Sequence, residues 1–377
     1  MTRRRLTWCC LMLPAAAVLG GTWPSYHGVY ALDGYSDAAV PDKPALLWTY
    51  KAGAAVSTAP VSDGTRIYVA NSAGDITALT RTGEKVWSRR IVEVSQTATQ
   101  TVSYTAPLLL AGSNVMAVSG GGKAYALAAD DGHTVWTFDT ADSVQGAPTL
   151  GRADGVERVV ILTQPNGGLF GVDAATGRAA WTNSGSARAD GHLASTGDSI
   201  VFGSCAAGVH IVSFVDGTQK GFIATGEGHE IAGGVAVNGD QAFTGTRSGH
   251  LVALSLKDEK ELWRFEDASG ELFTTPAVSA SNVAFATGEG NLVCVKRSDG
   301  TKAWSHDAAA ASPQSPVIAG NRVLAALDGT LYLYDLADGK QLWTYRVGDG
   351  CTSPALVGGL IVVGGDDGTV RAFGARP

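Results

Sequence analysis

Cysteine is scarce once the first ten residues are passed: only Cys205, Cys294 and Cys351 remain, an odd number dispersed over the chain. Such a set makes no disulfide framework, and the three thiols are expected to stay free. No Cys-x-x-Cys pair, His-Glu-x-x-His motif or Gly-x-Ser-x-Gly elbow occurs, so redox, zinc and nucleophilic chemistry each lack a starting point. No run of lysine or arginine follows residue 5, and the formal charge of −7 comes from acidic residues scattered singly. That balance argues against nucleic acid as a partner. The apolar stretch from Leu6 to Leu19 is too short to span a bilayer comfortably.

That stretch follows Arg3, Arg4 and Arg5 and ends at Gly20 and Gly21, the order of a signal peptide, with cleavage expected after Ala17 or Gly21. Three arginines suit an ordinary positively charged n-region, and Thr2-Arg3-Arg4-Arg5-Leu6 also resembles a twin-arginine signal. Cys9 stands at the start of the apolar run behind Thr7 and Trp8, the wrong place for a lipidation site. The expected organisation is a signal peptide over 1–21, a lead-in over 22–45 and a folded body over 46–377, placed in the periplasm or secreted.

What the chain does have is glycine, 49 residues, with 45% hydrophobic and 17% charged residues. Glycine at that level without collagen periodicity implies many short strands joined by tight turns. Tryptophans fall at Trp48, Trp87, Trp136, Trp181, Trp263, Trp304 and Trp343, at intervals of 39, 49, 45, 82, 41 and 39, where 82 is two units of 41. The missing member falls in Lys220-Gly221-Phe222. Gly83, Gly132, Gly177, Gly300 and Gly339 each stand four residues before a tryptophan, often behind Asp or Thr, as a hairpin turn with positive φ requires. Apolar and alternating runs upstream complete four short antiparallel strands per unit. Each unit is a propeller blade.

Eight inner strands are expected to begin near Pro60, Pro107, Pro148, Leu193, Gly234, Pro276, Pro316 and Pro354. The last unit ends at Phe373 without an outer strand, while Leu46 to Tyr50 is an outer strand with no blade of its own. Pairing the two predicts an all-β, eight-bladed propeller of four-stranded antiparallel blades, closed by an N-terminal strand that removes both exposed edges.

The pattern Ala-x-Asp-x-x-Thr-Gly-x-x-x-Trp, best matched by Gly171 to Trp181, resembles the tryptophan-docking repeat of pyrroloquinoline-quinone-type propellers over roughly residues 45 to 374. In that family the tryptophan packs between blades against a glycine and the first motif position is small. Here it is Ala78, Ala126, Gly171, Ala253 and Ala372, with departures at Ile211, Cys294 and Leu333. Trp23-Pro24-Ser25-Tyr26-His27-Gly28 through Leu46-Leu47-Trp48 is also similar to exported bacterial repeat proteins grouped with outer-membrane assembly factor B. The quinone dehydrogenases of the superfamily imply a bonded pair of adjacent cysteines, a calcium or lanthanide ion held by Glu, Asn and Asp, and an Asp base. The only adjacent cysteines, Cys9 and Cys10, lie in the leader. Asp130-Asp131 and Asp366-Asp367 occupy repeated turn positions where Asp serves the hairpin.

Departures from the repeat mark the candidate site. Trp87 is 20 residues from Pro107, where Trp48, Trp136 and Trp304 are each 12 from Pro60, Pro148 and Pro316, and the excess, Glu93 to Ser103 with Gln96 and Gln100, has the composition of an exposed loop. Blades four and five lose their opening proline and carry Arg188, Asp190 and His192, then Glu227, His229 and Glu230. All three segments link an outer strand to the next inner one, so they are expected on one face, bordered by Cys205 and Cys351. The binding candidates are Gln96, Gln100, Arg188, Asp190, His192, His229 and Glu230. The expected function is a monomeric, non-enzymatic scaffold, without cofactor or metal, for an envelope or secreted protein or a saccharide. Alternatives are a quinone- or metal-dependent oxidoreductase and a purely structural interaction module.

Overall fold

The computed structural model describes residues 21–376 except 57, 95–98, 105, 267–269, 309 and 311–312; residues 1–20, all but the last residue of the expected signal peptide, and Gln96 lie outside the described residues. The strands form eight four-stranded antiparallel blades. Second strands such as Arg66–Ala70 and Arg322–Leu327 are almost wholly buried. Each lies between neighbouring blades and is covered on both faces, which is why these strands read as continuous Val, Ile, Leu and Ala. Outer strands alternate, and in Lys85–Arg90 only Trp87 is buried.

Every expected tryptophan faces the first motif position across its strand pair, as Trp136 faces Ala126 and Trp181 faces Gly171. Six indole N–H groups then donate to a carbonyl of the next blade at 2.8–3.0 Å. Each ring lies flat on that blade's turn glycine, so close that a Cβ on Gly177 would stand 2.6 Å from Trp136. The seam between blades four and five departs in both members. Gly221 stands opposite Ile211 in the tryptophan's place, and Glu259, at φ 50°, takes the place of the docking glycine. A Cβ on Gly221 would meet the Glu259 carboxylate at 2.8 Å, so the acidic side chain fills the space an indole would occupy.

The ring closes as the strand count requires. Ala45–Lys51 pairs antiparallel with Thr369–Gly374, placing Trp48 opposite Ala372. Residues 23–36 then run across the inside of the ring at the hairpin end of the inner strands, bonding to seven blades in turn. Trp23 pairs with Ser62, and the carbonyl of Pro24 accepts from the Leu110 amide. Tyr30 O accepts from the Thr149 hydroxyl and the Ser195 amide; Ala31, Asp33 and Gly34 carbonyls accept from Val237, Val278 and Ile318. Tyr35–Ser36 adds a parallel strand to blade seven. Trp23, Tyr26, His27 and Leu32 of the segment are buried, while Val29 is exposed. It plugs one end of the channel.

Candidate functional site

The other face carries the connections between blades. Val56, Tyr104, Pro313 and Cys351 each form a single bridge to the middle hairpin turn of the following blade. Connections and middle turns therefore share one face. At its centre a cavity of about 430 Å³ is walled by residues from around the ring, among them Thr58, Pro107, His192, Phe273, Gln314 and Cys351. A second, of about 730 Å³, opens beside it toward Arg188, Asp190 and Arg247 and shares His192 and Phe273 as a wall. Together they make a funnel whose floor is the plug.

Tyr26 rises from the plug into that floor. Its hydroxyl bonds to the Thr275 hydroxyl, and its ring lies 4.0 Å from that of His192. The amide of Ala147 donates to His192 Nδ1 at 2.8 Å, so in the neutral ring the proton sits on Nε2. Burial, with His27 nearby, lowers the His192 pKa to about 3. The imidazole is thus a neutral donor over the physiological range.

Arg188 and Asp190 meet on the rim with a partner that sequence reasoning missed. The Asp190 carboxylate, 11% exposed, accepts from Gln164 at 2.6 Å, Arg188 at 2.9 Å and Arg247 at 3.3 Å. Burial raises its pKa, but the Gln164 amide and the two guanidiniums outweigh that and hold it below the usual carboxylate range. Arg247 also lies over the Phe273 ring at 5.3 Å. Phe273 is 46% exposed, an apolar anchor on a rim whose expected residues are all polar. Arg247 occupies a turn position that in most blades holds a small residue, which was its only signal in the sequence; Phe273 had none.

His229 and Glu230 adjoin the same turn: His229 bonds to the Ser248 hydroxyl and its ring lies 4.7 Å from His250, and the Glu230 carbonyl accepts from the Arg247 amide. The long connection after Trp87 differs from the expected loop. It is a hairpin of Val92–Val94 with Thr99–Thr101, in which Gln100 pairs with Glu93; alternating Thr and Val favour extended backbone even in a polar stretch. Its end, Ser103 and Tyr104, lines the wider cavity.

Cys205, Cys294 and Cys351 are free thiols. Cys205 bonds to the Arg188 carbonyl through its amide, and Cys351 lines the narrower cavity. Burial, reinforced by Asp366, pushes the Cys351 thiol up to about 12, and burial does the same for Cys294, so neither is a thiolate nucleophile at neutral pH. Asp130, Asp131 and His133 cluster on the surface, but the Asp131 carboxylate already accepts from the His133 amide and ring, closing the turn.

Blades of this repeat, docked by tryptophan and closed by an N-terminal strand, define an eight-bladed propeller of the pyrroloquinoline-quinone-like class. The family model described as outer membrane protein assembly factor BamB matches residues 36–201 and 213–366, and the chain belongs to that family. Its BamB relative in Bordetella pertussis is 24% identical over 262 residues, covering 67% of this chain and 66% of the relative, just under two thirds of its length. Among solved structures, BamB from Moraxella catarrhalis superposes at a TM-score of 0.73 with 18% identity, over 88% of this chain and 98% of that one. Quinohemoprotein alcohol dehydrogenase from Comamonas testosteroni gives 0.77 at 16% identity, over 96% and 82%. Likeness at these identities establishes the fold in both cases.

The quinone that the repeat implies is a tricarboxylate. The described residues lining the narrower cavity include no lysine or arginine, and they put a carboxylate, Asp366, at its mouth. These residues do not fit that cofactor.

Proposed function

We propose that the chain is a non-enzymatic scaffold of the bacterial envelope that holds a protein partner on the rim formed by Arg188, Asp190, Arg247 and Phe273. The observation that supports this most is the exposed Phe273 ring beneath the Arg247 guanidinium, itself fixed through Asp190. Aromatic and arginine side chains dominate the energetics of protein interfaces, and a side chain already held in place loses little entropy on binding. The middle turn of blade five and the segment around His229 widen the surface with polar groups, so binding is expected to weaken as salt rises. The Bordetella relative is named as an outer membrane protein assembly factor, and an exported propeller with a preorganised rim suits such a role.

The test is capture from envelope extract by the mature chain and by three variants. Phe273→Ala, and separately Arg188→Ala with His229→Ala, should reduce capture of the same band at least roughly ten-fold, as loss of an interface hot spot does. Lys85→Ala with Lys340→Ala, on the opposite face, should leave capture unchanged. Equal capture by all of them would sink the rim.

A further inference from the structure

The axial cavity has a chemistry distinct from the rim. Its floor and walls present neutral hydrogen-bonding groups with spare capacity. Among the described residues the Thr58 hydroxyl, which is buried, has no partner. Among them, too, the Gln314 carboxamide makes no hydrogen bond, although its backbone amide donates to Ala326. The Ser353 hydroxyl accepts the Ser315 amide at 3.2 Å, leaving its proton to donate elsewhere. His192 keeps an N–H on Nε2. At the mouth the Asp366 carboxylate is exposed and makes no ion pair with the described residues. Two aromatic faces, Tyr26 below and Phe273 at the side, complete the enclosure.

From this set we propose that the cavity binds an uncharged polyhydroxylated ligand of about one or two sugar rings, seated between Tyr26 and His192 below and Asp366 above. The volume of about 430 Å³ lies within the roughly 300–1,000 Å³ of small-molecule sites. A polyol supplies donors and acceptors in alternation, as hydroxyl, carboxamide, imidazole N–H and carboxylate require, while its C–H faces pack on aromatic rings. Leaving a buried hydroxyl such as that of Thr58 without a partner costs free energy, which a bonded ligand would recover. An anion would find a carboxylate at the entrance and no cation among the described residues lining the cavity. A cation would find only Asp366 and would leave the neutral donors of the floor unused. The site shares Phe273 and His192 with the rim, but Asp366, Gln314 and Thr58 belong to the blade eight, seven and one sector of the ring, away from Arg188 and Arg247, so variants there test it apart from the partner-binding reading.

Saturation-transfer NMR on the mature chain tests this, with glucose, N-acetylglucosamine, cellobiose and myo-inositol as neutral probes and citrate and choline as charged ones. At least one neutral probe should bind with millimolar or tighter affinity, and neither charged probe should compete. Asp366→Asn and Gln314→Ala should each weaken binding by about ten-fold or more, the scale of a lost hydrogen bond to a charged or buried group. Arg188→Ala should leave it unchanged. Asp366 is exposed, so its variant should keep the melting temperature and the capture of partner, which separates failure of this site from failure of the rim. Transfer to none of the four neutral probes, transfer equal in the wild type and Asp366→Asn, or preference for citrate or choline would each overturn the proposal.

Discussion

A turn glycine in this chain answers one of two demands, and substitution tells them apart. Gly177 has φ 71° and sits under the Trp136 ring, whereas Gly239 has φ 64° and open space, with nothing within 4 Å of where a Cβ would stand. Gly239→Ala should cost only the strain of a left-handed residue, on the order of 1 kcal/mol. Gly177→Ala must also push the indole out of its slot, adding about 1–3 kcal/mol. Urea unfolding of the two variants measures the difference; equal losses would mean that the ring is free to shift and that docking contributes little. The same pairing explains why the blade four tryptophan and the blade five glycine are missing together: without an indole to receive, position 259 is free of the steric demand and tolerates Glu259. The tryptophan spacing was readable because one large residue meets one small one at most of the seams. The rim was only partly readable. Arg188 and Asp190 stood out as departures from the repeat, but Arg247 and Phe273 come from other segments and join them only in space.

Among the elements, the lead-in behaves as a ninth structural part. Asp33 lies within it, accepting from the Tyr35 amide at 3.2 Å. Burial pushes its carboxyl up to about 6 from 3.8, against the smaller opposing effect of its hydrogen bonds to the Tyr35 amide and Asn238. The folded state therefore prefers the protonated acid: the stability this group contributes is full below its unfolded value and is lost as pH rises through about 6. Asp33→Asn should raise stability at neutral pH by on the order of 1–3 kcal/mol and flatten the stability profile between about pH 4 and 6. His192 acts with the opposite sign. Its lowered pKa makes stability fall as pH drops below the ordinary histidine value, so the acid side of the profile should remain steep in Asp33→Asn. Thermal melts across that range check both, and a wild-type profile in the variant would place Asp33 in contact with solvent. Nothing in residues 22–45 shows a strand period, because the segment bonds to a different blade every few residues instead of pairing along one neighbour. Its role was invisible to any reading of local pattern.

At the scale of the whole molecule the ring depends on its two ends meeting. Ala45–Lys51 supplies the eighth outer strand and carries Trp48, whose indole donates to Arg81 of blade one at 2.8 Å. Removing residues 22–52 should expose Thr369–Gly374 as an edge, open the channel and lower the melting temperature by well over roughly 10 °C, since the lost packing exceeds the roughly 3–5 kcal/mol of one truncated tryptophan. Calorimetry should show the loss together with a broader transition, and an unchanged melt would mean that the blades are held without closure. Eight blades, their antiparallel order and the strand that joins first to last were determined by the sequence alone, because a repeated unit that docks an indole on a close-packed glycine at six of its eight seams has a single way to bury its faces. The floor of the funnel, the fixing of Arg247 over Phe273 and the neutral polar lining of the cavity were decided only by tertiary structure. Each brings together side chains from connections that lie far apart in the chain, placed by the curvature of the ring, and no local period encodes which connection will face which across its axis.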